Sequence, residues 1–172
     1  NFSNFYFSIK GSFSTVYLAK DASNGREYAV KVCDKMFITR NKKQEYIKRE
    51  KMALLKLNSV PGIIRLMYSF QNTTHLFFVL TYAKNGDLTS YIKPQLMNQD
   101  NAKCAKFYAA ELLVAIEGIH RKKIIHRDLK PQNLMLDSKM HLLVGDFGSA
   151  KILSDLDEND EREQNGGERT AE

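Results

Sequence analysis

Two short blocks hold most of the reactive side chains of this chain. His126-Arg127-Asp128-Leu129-Lys130-Pro131-Gln132-Asn133 gathers an acid, amides and cations, and Asp146-Phe147-Gly148 adds a second acid soon after. Both fall in predicted loops between short strands, where functional side chains usually sit. Two further residues are out of place for a simple core. Lys31 lies inside the apolar run Tyr28-Ala29-Val30-Lys31-Val32, and period-2 alternation puts it on the face of the small Ala29. Glu50 shares a helical stripe with Ile47, Leu54 and Leu57, and an acid on a buried stripe needs a partner. Charge points the same way. Residues 155–172 carry −6 and the rest +12, and a basic body suits an anionic ligand: phosphate groups, nucleic acid or acidic lipid.

The elements that must position these residues follow from pattern. With 172 residues, 43% hydrophobic and 27% charged, the chain can bury a core, which excludes wholesale disorder. No apolar run is long enough for a membrane helix, and the first residues lack the features of a secretory signal. Cys33 and Cys104 make no disulfide framework, so a reducing, cytoplasmic location is expected. Residues 13–20 and 28–32 read as strands joined by the Asn24-Gly25 turn. A helix is expected over 42–57, strands over 63–70 and 76–80, and a short helix to 92 capped by Asp87. The longest helix, 102–120, is apolar on nearly every turn and belongs inside something. Short strands at 123–125, 134–136 and 141–144 surround the reactive loops. The pattern is α+β and two-lobed, an antiparallel sheet with one helix leading through 81–87 into a helical region.

The two reactive blocks closely resemble the protein-kinase signature H-R-D-L-x-x-x-N and D-F-G, and Ala29-Val30-Lys31 resembles the A-x-K of the third kinase strand. The resemblance implies a bilobal kinase-like fold. Residues 1–80 would be the N-lobe, 81–87 the hinge and 88–154 part of a C-lobe, with 155–172 part of the activation segment. It implies ATP and Mg²⁺ as cofactors, because phosphoryl transfer asks the protein mainly for positioning and charge neutralisation. Asp128 would orient the attacking hydroxyl and accept its proton. Lys130 would hold the γ-phosphate, Asn133 and Asp146 would bind Mg²⁺, and Lys31, paired with Glu50, would contact the α- and β-phosphates. Val16 and Ala29 would cover adenine, and Gly11, Ser12 and Phe13 would form the phosphate-covering loop. That loop fits the family pattern G-x-G-x-x-G-x-V only in part, with Gly11 at the second glycine and Ser14 at the third. Restoring three residues between Lys10 and Gly11 would complete it, and such residues are expected in the parent protein.

Within the kinases, the chain is identified as a member of the AGC group, resembling the 3-phosphoinositide-dependent type across residues 5–154. The resemblance rests on Gly11-Ser12-Phe13-Ser14-Thr15-Val16, Arg26-Glu27-Tyr28-Ala29, Tyr82-Ala83-Lys84-Asn85-Gly86-Asp87-Leu88 and Ile124-Ile125-His126-Arg127-Asp128. It implies adenine contacts from the backbone of Thr81 and Ala83, Leu80 as gatekeeper and Asp87 at the ribose. Lys35, Ile38, Ile47, Lys51, Gln71 and Leu76 would form a docking pocket for the phosphorylated hydrophobic tail of substrate kinases; Thr39 and Gln44 depart from its apolar pattern. Tyr46, Arg49, Arg127 and Lys151 would bind the activation-loop phosphate, although Gly166 stands at the family's phosphoserine position.

The function this implies is a serine/threonine kinase that phosphorylates activation loops of other kinases in phosphoinositide and growth-factor signalling. Membrane contact would come only through a domain outside the chain. Because the sequence stops short of the family's A-P-E segment, a longer parent kinase is expected. Two other readings stay open at this point: a catalytically inactive kinase-like binding or scaffold module, and a nucleic-acid binder resting on the basic body alone. The second has no aromatic platform or reading motif behind it.

Overall fold

The computed structural model describes residues 2–10, 14–95 and 101–153. Five antiparallel strands open the fold: β1 (Phe2–Lys10), β2 (Ser14–Asp21), β3 (Glu27–Asp34), β4 (Leu66–Gln71) and β5 (His75–Thr81), in the spatial order β1-β2-β3-β5-β4. The Asn24-Gly25 turn joins β2 to β3, with Gly25 at φ +71°, a conformation that favours glycine. Pleating gives β3 two different faces. Tyr28 and Val30 join Ala19 and Val79 in a small cluster on one face, while Cys33 belongs to the main core on the other. Lys31 shares the Cys33 face, opposite Val16 on β2 and Phe78 on β5.

Two helices cross this part, where the sequence predicted one. α1 (Lys35–Arg40) exists because the Asp34 side chain accepts the Phe37 N–H at 2.8 Å, capping a segment too short to show a period. α2 (Gln44–Leu57) buries Ile47, Glu50, Ala53, Leu54 and Leu57 on one stripe. β1 and the two-residue strand β9 (Lys151–Ile152) were also not predicted.

The C-terminal part holds α3 (Leu88–Gln95), α4 (Asn101–Arg121) and two small hairpin-like sheets. β6 (Ile124–Ile125) pairs with β9, and β7 (Leu134–Leu136) pairs with β8 (Leu142–Val144). One core runs through both parts, from Ile47 and Leu54 to Ile119, Leu136 and Phe147. Its continuity depends on the segment between α2 and β4. Val144 N–H donates to Gly62 O at 2.8 Å and Ile64 N–H to Val144 O at 2.9 Å, which straps the end of α2 to the strand leading into Asp146. Gly62 and Gly118 permit this approach, since an added Cβ would meet Ala115 at 3.1 Å and Val60 at 2.4 Å.

α4 is only partly enclosed. Tyr108, Ala115 and Ile119 are buried, but Phe107, Leu113 and Val114 are exposed. Among the described residues no helix is long and apolar enough to cross a membrane.

Candidate active site

Lys31 and Glu50 meet, as the resemblance implied. Lys31 Nζ lies 2.6 Å from Glu50 Oε1 and 2.8 Å from Oε2. Strand β3 supplies the amine and the buried stripe of α2 supplies the acid, so the sheet and the helix are locked by charge as well as by packing. Burial pulls the Lys31 pKa down, but the charge and hydrogen bond of Glu50 outweigh it and hold the ammonium above its ordinary value. Cys33, two residues along the same face, has its thiol pushed up to about 11 by burial.

The catalytic-loop block folds around Asp128. Lys130 Nζ donates to Asp128 Oδ2 at 2.7 Å, and Asn133 Nδ2 donates to the same oxygen at 3.0 Å and to Asp128 O at 2.8 Å. The Lys130 hydrogen bond, against a push from burial and with help from Asn133, holds the Asp128 carboxyl below its usual range. It is therefore ionised at neutral pH. Pro131–Asn133 form one 3₁₀ turn, which places Asn133 back over Asp128. With its Nδ2 committed, Asn133 presents Oδ1 as the end open to a cation.

His126 ties the two reactive loops together, a role the sequence did not reveal. Its Nε2 is 2.9 Å from Gly145 O, Asp128 N–H donates to its Nδ1 at 3.2 Å, and its ring packs against the fully buried Phe147. Gly145 N–H in turn donates to Asn133 O at 2.9 Å. Asp146 follows in a left-handed conformation, φ +54°, between the buried Val144 and Phe147. Among the described residues no three of His, Cys, Asp or Glu gather as a cage for a metal. The Asp146 carboxylate and Asn133 Oδ1 are hard oxygen donors, and two such donors suit a cation of the Mg²⁺ type that keeps waters and phosphate oxygens as its other ligands. The residues present fit it.

The positions expected beside a nucleotide fall around Lys31. Val16 stands opposite Lys31, and Ala29 stands between Leu18 and Leu80 in the sheet. Thr81 N–H is spent on Arg65 O at 3.0 Å, so the base contact that the resemblance implies would fall to the Thr81 carbonyl. Among the described residues no hydrogen bond engages the Ala83 N–H. Asp87 is a helix cap: its oxygens accept the Ser90 N–H at 3.0 Å and the Ser90 hydroxyl at 2.7 Å. Burial raises its pKa, and the bonds from Ser90 more than reverse this. A ribose contact would have to share those oxygens. Gly11, Ser12 and Phe13 lie outside the described residues, as do residues 154–172.

The phosphate-binding set is brought together only in part. Arg49 Nη1 reaches Gly148 O at 3.5 Å, and Arg127 donates to Ser149 O at 2.7 Å and Ala150 O at 3.4 Å, beside Lys151 on β9. Tyr46 also reaches the second reactive loop. Its hydroxyl donates to Asp146 Oδ1 at 2.7 Å, because Gly148 has no side chain to keep the ring out. Burial first, then the bond to Asp146, push its pKa up.

All six expected docking residues line one cavity of about 470 Å³: Lys35, Ile38, Ile47, Lys51, Gln71 and Leu76. Lys48, Ser69, Phe70 and Phe78 line it too and were missed. Strand alternation from Leu76 to Phe78, with Ser69 opposite Phe78, would have found two of them. The Lys35 ammonium is bonded to Asn72 O at 2.7 Å rather than pointing free into the cavity.

Comparison with known proteins agrees with this geometry. A family model of the protein kinase domain matches residues 10–166. The chain is 47% identical over 143 residues to serine/threonine-protein kinase ppk21 of Schizosaccharomyces pombe, covering 83% of this chain and 26% of that protein. It is 43% identical over 145 residues to 3-phosphoinositide-dependent protein kinase 1 of Homo sapiens, covering 84% and 26%. Against serine/threonine-protein kinase PKH1 of Saccharomyces cerevisiae it is 43% identical over 149 residues, covering 87% and 19%. The chain thus spans about a quarter or less of the length of these relatives. Matched over nearly all of its own length, it belongs to the protein kinase domain family, beside AGC kinases of the 3-phosphoinositide-dependent type.

Proposed function

We propose that the chain carries the nucleotide cleft and catalytic loop of an ATP- and Mg²⁺-dependent serine/threonine kinase acting on the activation loops of other kinases in phosphoinositide-type signalling. In that reading residues 1–80 form the N-lobe, 81–87 the hinge and 88–154 part of the C-lobe. One observation carries it: a buried lysine fixed by a helix acid on one side, and on the other an ionised Asp128 bonded to Lys130 and Asn133 and joined through His126 to the Asp146 loop. That constellation favours a working enzyme over an inactive module.

Each side chain then has a defined task. Lys31, held straight by Glu50, binds the α- and β-phosphates. Asp128, too acidic to carry a proton in the ground state, orients the attacking hydroxyl and takes its proton as the bond forms. Lys130 leaves Asp128 to hold the γ-phosphate. Asn133 Oδ1 and Asp146 hold the metal, which when bound supplies positive charge against the phosphate oxygens. Val16, Ala29, Leu80, Thr81 and Ala83 enclose the base, Asp87 meets the ribose, and Gly11, Ser12 and Phe13 cover the phosphates.

The partners follow from the cavity beside α2. Its apolar floor of Ile38, Ile47, Leu76 and Phe78 and its lysine rim suit the phosphorylated hydrophobic tail of a substrate kinase. Arg49, Arg127 and Lys151 suit a phosphate on the activation loop. In the full-length protein, transfer of labelled phosphate from ATP to an activation-loop peptide should fall at least about 100-fold in Asp128→Ala. Equal transfer by both proteins would remove the assignment.

A further inference from the structure

The Tyr46 contact is not used by the reading above, and it falls on the metal side of the site. Tyr46 lies one turn before Glu50 on α2, so both side chains leave the same helix face toward the cleft. Glu50 engages Lys31, while the Tyr46 hydroxyl donates to Asp146 Oδ1 at 2.7 Å. The same oxygen faces the Gly148 N–H at 3.4 Å. The ring is seated where a Gly148 side chain would otherwise be, since a Cβ there would stand 1.8 Å from it. Thus Oδ1 is surrounded by donor hydrogens, and a cation approaching it meets positive partial charge instead of an open lone pair.

We propose that Tyr46 is an autoinhibitory latch on the metal site: its hydroxyl occupies Asp146 Oδ1 and must leave before the carboxylate can give both oxygens to divalent cations. The inference rests on the reading of Asp146 as a metal ligand and adds a residue that opposes it. The position of the latch on α2 has a purpose. Because Glu50 is one turn away on the same rigid helix, a movement that withdraws Tyr46 also moves the acid that holds Lys31, so metal and phosphate handling change together.

The test is nucleotide binding, not turnover. In the full-length protein, the affinity for a fluorescent ATP analogue is measured with and without Mg²⁺ for the wild type, Tyr46→Phe and Tyr46→Met. Removing a hydrogen bond to a charged oxygen should strengthen Mg²⁺-dependent binding about tenfold in both variants and leave metal-free binding unchanged. A wild type and variants that all gain nothing from Mg²⁺ would overturn the metal reading of Asp146 and the latch with it. A wild type that gains, with variants that gain no more, would overturn the latch alone. Tyr46→Met removes the ring as well as the hydroxyl, so a gain in both variants assigns the effect to the lost bond.

Discussion

The cleft contains two lysine–carboxylate pairs of nearly equal length in opposite surroundings. Lys31–Glu50 spans 2.6 Å with side chains 11% and 3% exposed, and Lys130–Asp128 spans 2.7 Å with side chains 47% and 34% exposed. The first joins a strand to a helix across nineteen residues; the second joins neighbours within one loop. Distance alone would rank them together, whereas surroundings separate them. A buried pair broken on one side leaves a charge stranded in low dielectric. An exposed pair exchanges its partner for water or a substrate phosphate at little cost. One pair is built to stay and the other to be given up during the reaction.

Breaking each pair in turn tests that difference, and the largest contrast is in stability. Lys31→Met should lower the unfolding free energy by about 3–5 kcal/mol, the usual cost of removing one partner from a buried pair. Lys130→Met should change it by less than about 1 kcal/mol. Chemical denaturation of both variants measures this, and equal losses would erase the distinction.

The pH response separates the pairs next. Glu50 raises the Lys31 pKa above its ordinary 10.5 despite burial. That contribution is complete at lower pH and is lost as pH rises through the folded value. Lys130 lowers the Asp128 pKa beneath its ordinary 3.8. That contribution is complete above 3.8 and is lost as pH falls through the folded value. Between about pH 5 and 9 neither group changes charge. Lys130→Met should therefore move the acid limb of kcat/KM upward and leave the alkaline limb in place; a fixed acid limb would show that Lys130 does not set the acidity of Asp128.

Salt gives the smallest effect. Raising ionic strength toward 1 M shortens the screening length to about 3 Å. The acid limb should then creep upward in the wild type, while the alkaline midpoint set by Lys31 stays put. A shift of both limbs by the same amount would mean that the buried pair is wetter than its packing implies.

What the sequence disclosed and what it hid follow one physical rule. The loop around Asp128 was legible through its resemblance to the kinase signature, and its partners lie within five residues, a separation one loop can close. Lys31 and Glu50 were legible because each violated the period of its own element. Six residues of the cavity came from the family resemblance, while Ser69 and Phe78 were missed because they join it through the β4–β5 pairing. Helix α1 escaped notice since six residues show no period and its cap is a single aspartate. The contact of Tyr46 with Asp146 was not legible in the sequence. That contact depends on the open space at Gly148, far along the chain. The exposed flank of α4 agrees with a helix too apolar for the packing this chain alone supplies.

The strap from Gly62 and Ile64 to Val144 has one more effect, a matter of leverage. It ties down the chain just past the Leu57 end of α2, so a swing of the fourteen-residue helix, about 20 Å long, would hinge at that end. Gln44, at the far tip beside the cavity, then sweeps about twice the arc of Glu50 halfway along. A coarse adjustment made at the cavity rim therefore reaches the Lys31 ammonium geared down by half, the way a vernier converts a broad turn into a fine one.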